Sequence, residues 1–301
     1  MSPNARIRLL VAGLLVAGLG IAGLYNGAIG ASFFGSDELL SAPHVELAAP
    51  TVFTIGGIGI SNTILSSWLT TIVLILLLVG GMRGTKLIPT GLQNFTEWIL
   101  ESLYSFVESV AGEENTRSFF PLIATIFLFV AFNAWIALLP IYQSLGLMNG
   151  GHLEVHLLRS AGTDLNMPLA IALISGVFVE YWGFRAHGLK YIEEYVRFRE
   201  LLHGLRHLSI MDVFTGIVNA AVGVLELLSH FIRVISFTFR LFGNMTAGEI
   251  VLLVAAFLVS FVLAVPFYGL ELLVGFIQAL IFAGLSLAFV SVAVAGHGEE
   301  T

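Results

Sequence analysis

Several polar side chains sit where the chain is otherwise apolar, at the spacing of a helix face. Glu226, Arg233 and Arg240 fall seven residues apart and would form one stripe on a helix, joined by His230 and Asn244. Ser236, four residues before Arg240, flanks that stripe. Glu249 lies nine residues beyond Arg240, which turns it about 180° to the opposite face. In the next apolar run Glu271 and Gln278 are again seven apart and share a face. The residue types define the chemistry. An arginine does not deprotonate in a protein, so Arg240 is a fixed positive charge that cannot relay a proton but can repel one or hold a carboxylate beside it. A glutamate can take up and release a proton. A permanent cation with titratable carboxylates on separate faces describes a proton path interrupted by a charge barrier.

The elements that carry these groups belong in a membrane. Of 301 residues 57% are hydrophobic and only 11% are Asp, Glu, Lys or Arg, whereas a water-surrounded domain carries roughly 25% charged residues. The mean hydropathy is +0.94. Apolar segments long enough to cross a bilayer are read at about 9–31, 61–82, 119–139, 167–184, 210–261 and 267–295. The absence of cysteine excludes disulfides and thiolate chemistry, and a formal charge of -7 speaks against nucleic-acid binding. The fold class expected is an all-α polytopic membrane protein. It has five core membrane helices, the last two long and steeply tilted, one interfacial amphipathic helix, and an N-terminal segment that is an extra helix or a signal peptide.

That first segment, residues 1–31, has Arg6 and Arg8, an apolar stretch and small residues near Ala28–Ala31, which suits a cleaved secretory signal as well as a retained helix. Its length favours retention. Residues 32–301 are read as a single membrane-embedded domain. Lysine and arginine cluster before the first span, between spans two and three (Arg83, Lys86, Arg117), and after span four (Arg185, Lys190, Arg197, Arg199, Arg206). Placing those regions in the cytoplasm leaves only Arg159 in an outside loop, and puts the carboxyl terminus with Glu299 and Glu300 inside. The stretch from Leu92 has Phe95, Ile99, Leu103, Phe106 and Val110 on one face and Glu97, Glu101 and Glu108 on another, an amphipathic helix for the cytoplasmic surface. Residues 41–59, with Pro43, Pro50 and several glycines, read as an irregular loop.

The segment 210–261 stays apolar for about fifty residues. As one helix it would be on the order of 75 Å long, against a hydrocarbon core of ~30 Å. Either it turns at Gly243-Asn244 or it runs obliquely within the membrane, with a reversal at Val265-Pro266.

The run Arg240-Leu241-Phe242-Gly243-Asn244-Met245-Thr246-Ala247-Gly248-Glu249 resembles the signature of the F-type ATP synthase a subunit. The resemblance extends to Gln278 in an IQALIF segment, to Thr163-Asp164-Leu165-Asn166 before the fourth span, and to Lys86-Leu87-Ile88-Pro89-Thr90-Gly91-Leu92-Gln93-Asn94. Roughly residues 60–297 are covered, in the right order. The resemblance implies the membrane stator that faces a rotating ring of c subunits. It further implies contact with the b subunits of the peripheral stalk, the rest of the synthase and membrane lipids, with no cofactor and no catalysis by this subunit itself. It implies that Arg240 faces the rotor carboxylate, and that two offset aqueous half-channels deliver and remove protons. Glu249 and Glu271 would belong to the half-channel open to the outside. Asn244 and Gln278 would be polar neighbours of the arginine, with Ser236 and Glu226 along the same helix. A bacterial plasma membrane is the location expected.

Two features depart from the family pattern. Many relatives have a histidine at one of the positions held here by Glu249 and Glu271, and two close carboxylates would titrate as a coupled pair. Asn133 lies seven residues before Pro140, one more than usual, and receives no role. For other residues a structural reading competes with a functional one. Arg240 could make a buried ion pair with a neighbouring helix. Arg233 could pair with Glu226 or reach a headgroup. His230 could be a core or rim histidine, and Glu180 could reach water. Asp164 and Asn166 are expected to cap the fourth helix, with proton uptake as their second reading. The pairs His152/His156 and His203/His207 have the spacing of helical metal ligands, without the glutamate placement of a metalloenzyme. A self-contained ion-coupled transporter would also place charges at membrane depth, but calls for internal repeats, which the two halves lack.

Overall fold

The computed structural model describes residues 3–34, 48–83, 86–139, 142, 145–149, 152–188, 191, 210–259 and 264–295. Among them run seven helices: α1 (Pro3–Asn26), α2 (Ala28–Phe34), α3 (Asn62–Met82), α4 (Leu92–Ala137), α5 (Asn166–His187), α6 (Ile210–Leu258) and α7 (Val265–Ala295). The last five are long and apolar enough to cross a membrane. A bilayer offers main-chain N–H and C=O groups no partner, so a spanning segment must satisfy them internally, which a helix does. Many large apolar side chains face outward, such as Ile72, Ile75 and Leu76 on α3 and Phe231 and Phe239 on α6. A protein in water would bury them; lipid makes them the natural exterior. The chain is an all-α polytopic membrane protein.

Two short antiparallel hairpins accompany the helices. From residue 51 onward, the stretch expected as an irregular loop instead forms β1 (Thr51–Ile55) and β2 (Ile58–Ser61), while residues 41–47 lie outside the described residues. The turn between them is Gly56-Gly57, at φ 58° and 86°. Positive φ at both central residues matches the right-handed twist of the flanking strands and costs glycine little. The second hairpin pairs β3 (Gly146–Asn149) with β4 (His152–His156). His152 and His156 therefore lie four residues apart on a strand, about 13 Å at strand rise, and lose the closeness that helical spacing would give. His203 and His207 lie outside the described residues.

α4 contains a break. Gly112 takes φ 76° and ψ 162°, a backbone region open essentially to glycine alone. The carbonyls next to the break are met by side chains: Thr116 Oγ1 donates to Gly112 O at 2.6 Å and Asn115 Nδ2 to Ala111 O at 3.4 Å. The break separates the amphipathic arm from the apolar third span. On the arm Glu97, Glu101 and Glu108 are exposed. The buried stripe is rotated from the one expected: it runs through Thr96, Leu103 and Val107, leaving Phe95 and Val110 exposed. Packing chose the small Thr96 because it fits against Gly81, where any Cβ would collide with it.

The chain forms two compact units, to which α3, α4, α6 and α7 each contribute residues. One comprises Met1–Trp68, Asn133–Asp164 and Gly243–Gln278; the other Leu69–Phe132, Leu165–Phe242 and Ala279–Thr301. The core of the second unit is aromatic. Phe119, fully buried, meets Phe178 and Trp182 edge-on with centroids 6.0 and 5.3 Å away, and Phe237 packs on Phe282 at 4.9 Å. Ser175 and Ser286 join α5 to α7 through an Oγ–Oγ hydrogen bond of 2.7 Å. In the first unit Trp135 Nε1 donates to Leu272 O at 3.1 Å, and its ring stacks on Phe276.

α6 is one uninterrupted helix of 49 residues, about 73 Å along its path. The turn candidate Gly243-Asn244 lies inside it in helical conformation. Its length exceeds the ~30 Å hydrocarbon core more than twofold, so it cannot stand upright in a bilayer.

Candidate functional site

An uninterrupted α6 preserves the sequence spacing, so Glu226, Arg233 and Arg240 do share a stripe. Arg240 is partly buried. Its guanidinium lies 5.5 Å from the Phe237 ring, and among the described residues it makes no ion pair, so the structural reading of a buried pair for Arg240 finds no partner. Ser236 is exposed, and Asn244 and Gln278 are partly buried. None of these three makes a side-chain hydrogen bond among the described residues.

The first unit brings Glu249 and Glu271 together. Both line a cavity of about 60 Å³ with Tyr142, Arg159, Ser160 and Met245. This is room for a few water molecules with several polar partners. Glu271 reaches the cavity because residue 248 is glycine: a Cβ there would overlap its carboxylate. Glu249 is held by Arg159. Arg159 Nε donates to Oε1 and Oε2 at 3.1 and 3.0 Å, and Nη2 donates to Oε2 at 2.8 Å. The pair is largely shielded, with 11% of the arginine side chain and 27% of the glutamate exposed.

Arg159 is itself anchored. Its N–H donates to Ser66 Oγ at 3.1 Å. The next residues are tied by Asn133, whose Oδ1 accepts from Ser160 Oγ at 3.2 Å and from the Ala161 N–H at 3.1 Å. Asn133 is 2% exposed. The short 3-10 turn Ala161–Thr163 that follows sits so close to α6 that a Cβ on Gly162 would strike Met245. Asp164 does not cap α5. The N-cap position is Leu165, without a side-chain cap; Asp164 instead accepts from Thr63 Oγ1 at 2.8 Å, and Asn166 is exposed at the first turn.

The second unit holds a larger cleft, about 740 Å³, with apolar walls. Its polar lining is Glu180, His230, Arg233 and Ser175. His230 Nδ1 and Glu180 Oε1 are 2.6 Å apart, so the histidine joins α6 to a carboxylate of α5. Arg233 lies over the Phe289 ring at 3.7 Å. Glu226, partly buried, does not line the cleft.

The sequence points to Glu249 and Glu271, whereas it gives no role to Arg159 or Asn133 and reads Glu180 as a residue that can reach water. A buried amide inside an apolar span, such as Asn133, was a signal in itself, because an unsatisfied amide there is costly. The partner of Arg159 was not readable, since the contact spans ninety residues.

Comparison with known proteins is consistent across most of the chain. Residues 64–291 match the family model described as ATP synthase A chain. The chain is also similar to the ATP synthase subunit a of Gloeobacter violaceus, with 34% identity over 267 residues covering 88% of this chain and 96% of the relative. With the five apolar helices, the oblique α6 and the arginine signature it carries, this chain belongs to the ATP synthase subunit a family.

Proposed function

We propose that this chain is the stationary, non-catalytic subunit that carries protons to and from the c-subunit ring of a rotary ATP synthase, held by the b subunits of the peripheral stalk. It would sit in a bacterial plasma membrane with its carboxyl terminus in the cytoplasm. The observation that carries the reading is Arg240: a cation on a helix too long to stand upright, with no ion-pair partner among the described residues. A ring carboxylate can cross lipid only when neutral, because an isolated ion there is costly. At about 4 Å from a guanidinium, with an effective dielectric of 20, attraction of about 4 kcal/mol favours its ionised form. Arg240 therefore makes the passing carboxylate release its proton, and blocks a proton from crossing directly.

Water-accessible groups must serve the carboxylate on either side. The cavity lined by Glu249 and Glu271 suits uptake from outside, and the cleft with His230, Glu180 and Arg233 suits release. Asn244, Gln278, Ser236 and Glu226 supply polar surface along the path, and Asp164 and Asn166 lie at its outer rim. Hydrolysis reverses the direction.

The test uses the assembled synthase in membrane vesicles. Arg240→Ala is expected to abolish both gradient-driven ATP synthesis and ATP-driven proton pumping; normal coupling in that variant overturns the reading. Glu249→Gln and Glu271→Gln should each slow proton uptake, and an unchanged rate in the double variant counts against the path.

A further inference from the structure

We propose that Arg159 is a positioning residue that divides the work between the two cavity carboxylates, latching Glu249 in place and leaving Glu271 as the group that picks up and hands on the proton. The inference rests on the uptake path proposed above and assigns roles within it.

Three observations carry it. First, both oxygens of Glu249 are engaged by the guanidinium, through the three hydrogen bonds of Nε and Nη2. A proton could settle on Glu249 only by displacing one of them, and bidentate charge-assisted bonds are the strong kind. Second, Glu271 lines the same cavity against the bare backbone of Gly248, and among the described residues it has no ion-pair partner. Third, Arg159 is not a loose surface charge. Its main chain is pinned by Ser66 and, through the two following residues, by the buried Asn133. A shielded ion pair is a poor source of stability, because desolvating two charges offsets much of their attraction. So elaborate a mount fits a need for fixed geometry better than a need for stability. The groups facing the carboxylates are Arg159 and Ser160 from the segment after β4, Tyr142 before β3, Glu249 from α6 and Glu271 from α7.

The experiment measures gradient-driven ATP synthesis, and its dependence on outer pH, in vesicles carrying the assembled synthase. Arg159→Gln is expected to lower the rate about tenfold, within the range of coupling between contacting residues. In a Glu249→Gln background the same change should cost less than about twofold, since the latch then has nothing charged to hold. Arg159→Lys, which keeps the charge and one hydrogen bond, should fall between. The pH profile adds a readout that a purely structural role would not move. With Glu249 latched it follows one carboxylate; in Arg159→Gln two free carboxylates share the cavity and the profile broadens into two steps. Glu271→Gln should be more damaging than Glu249→Gln.

Equal losses from Arg159→Gln in both backgrounds, an unbroadened profile, or a Glu249 variant worse than the Glu271 variant would each overturn the latch. If Arg159→Gln does not assemble, Arg159→Lys alone and in the Glu249→Gln background carries the same comparison. Silent Arg159 variants beside slow Glu249 and Glu271 variants refute only this inference; silent carboxylate variants refute the uptake path itself.

Discussion

Replacing Gly248 by alanine separates folding from function more cleanly than any other single change in the cavity. The added methyl would overlap the Glu271 carboxylate, the far end of a flexible side chain rather than a piece of main chain. Glu271 can therefore swing aside into the cavity of about 60 Å³ that it lines, and the backbone need not move. Alanine in place of glycine in a helix interior also gains about 0.8–1 kcal/mol of propensity. Thermal stability of the assembled subunit should thus hold or rise. The carboxylate, however, must retreat by more than ~1 Å to reach ordinary contact, and a misplacement of ~1 Å can already cost about 10²-fold in a reaction that depends on position. Gly248→Ala should lower gradient-driven ATP synthesis about ten- to a hundredfold while the protein accumulates normally. Adding Glu271→Asp, shorter by one methylene, should recover part of the rate by drawing the carboxylate back from the new methyl. Wild-type synthesis in Gly248→Ala, or a double variant slower than the single, would refute the claim that Glu271 works from its place against residue 248.

Other perturbations test the scaffold. Asn133→Ala strands the Ala161 N–H and should cost about 1–3 kcal/mol, seen as a lower melting temperature in detergent and a slower rate through the loosened Arg159 segment. Gly112→Ala meets open space, so its cost is purely conformational, about 1–3 kcal/mol for a side chain at that φ and ψ; denaturant unfolding would measure it. Ser175→Ala should cost only about 0.6 kcal/mol, because Ser286 keeps its bond to Phe282 O, and the same unfolding assay would show the difference from Gly112→Ala.

What the sequence made legible follows from the range of the forces involved. The membrane helices announce themselves because lipid demands long apolar runs, and the ends of α3 and α5 fall within a residue or a few of the expected spans. Sequence alone permits two readings of α6, since Gly243-Asn244 can turn or continue; only the packed chain decides. The hairpin at Gly56-Gly57 was readable: a Gly-Gly pair between Thr51–Ile55 and Ile58–Ser61 is a turn signal, outweighed in the reading by the nearby prolines. The arm of α4 was correct in kind and rotated in detail, because hydrophobicity cannot foresee that Thr96 would be wanted against Gly81. Asp164 looked like a cap by local rules but found Thr63, a hundred residues earlier. The same holds for Arg159 and Glu249: the charges were visible, and their meeting was not.

One consequence of the unbroken α6 concerns how current could flow beside it. Between its first and last turns the main-chain ladder of this helix, Ile210–Leu258, is closed, so the interior of the rod offers passing protons no spare amide or carbonyl. On the proton path proposed above it is an insulated spar, and conduction falls to the few side chains that stud it. Hops between studs are set by side-chain reach, so a single carbon's difference in length can open or close the circuit without bending the spar at all.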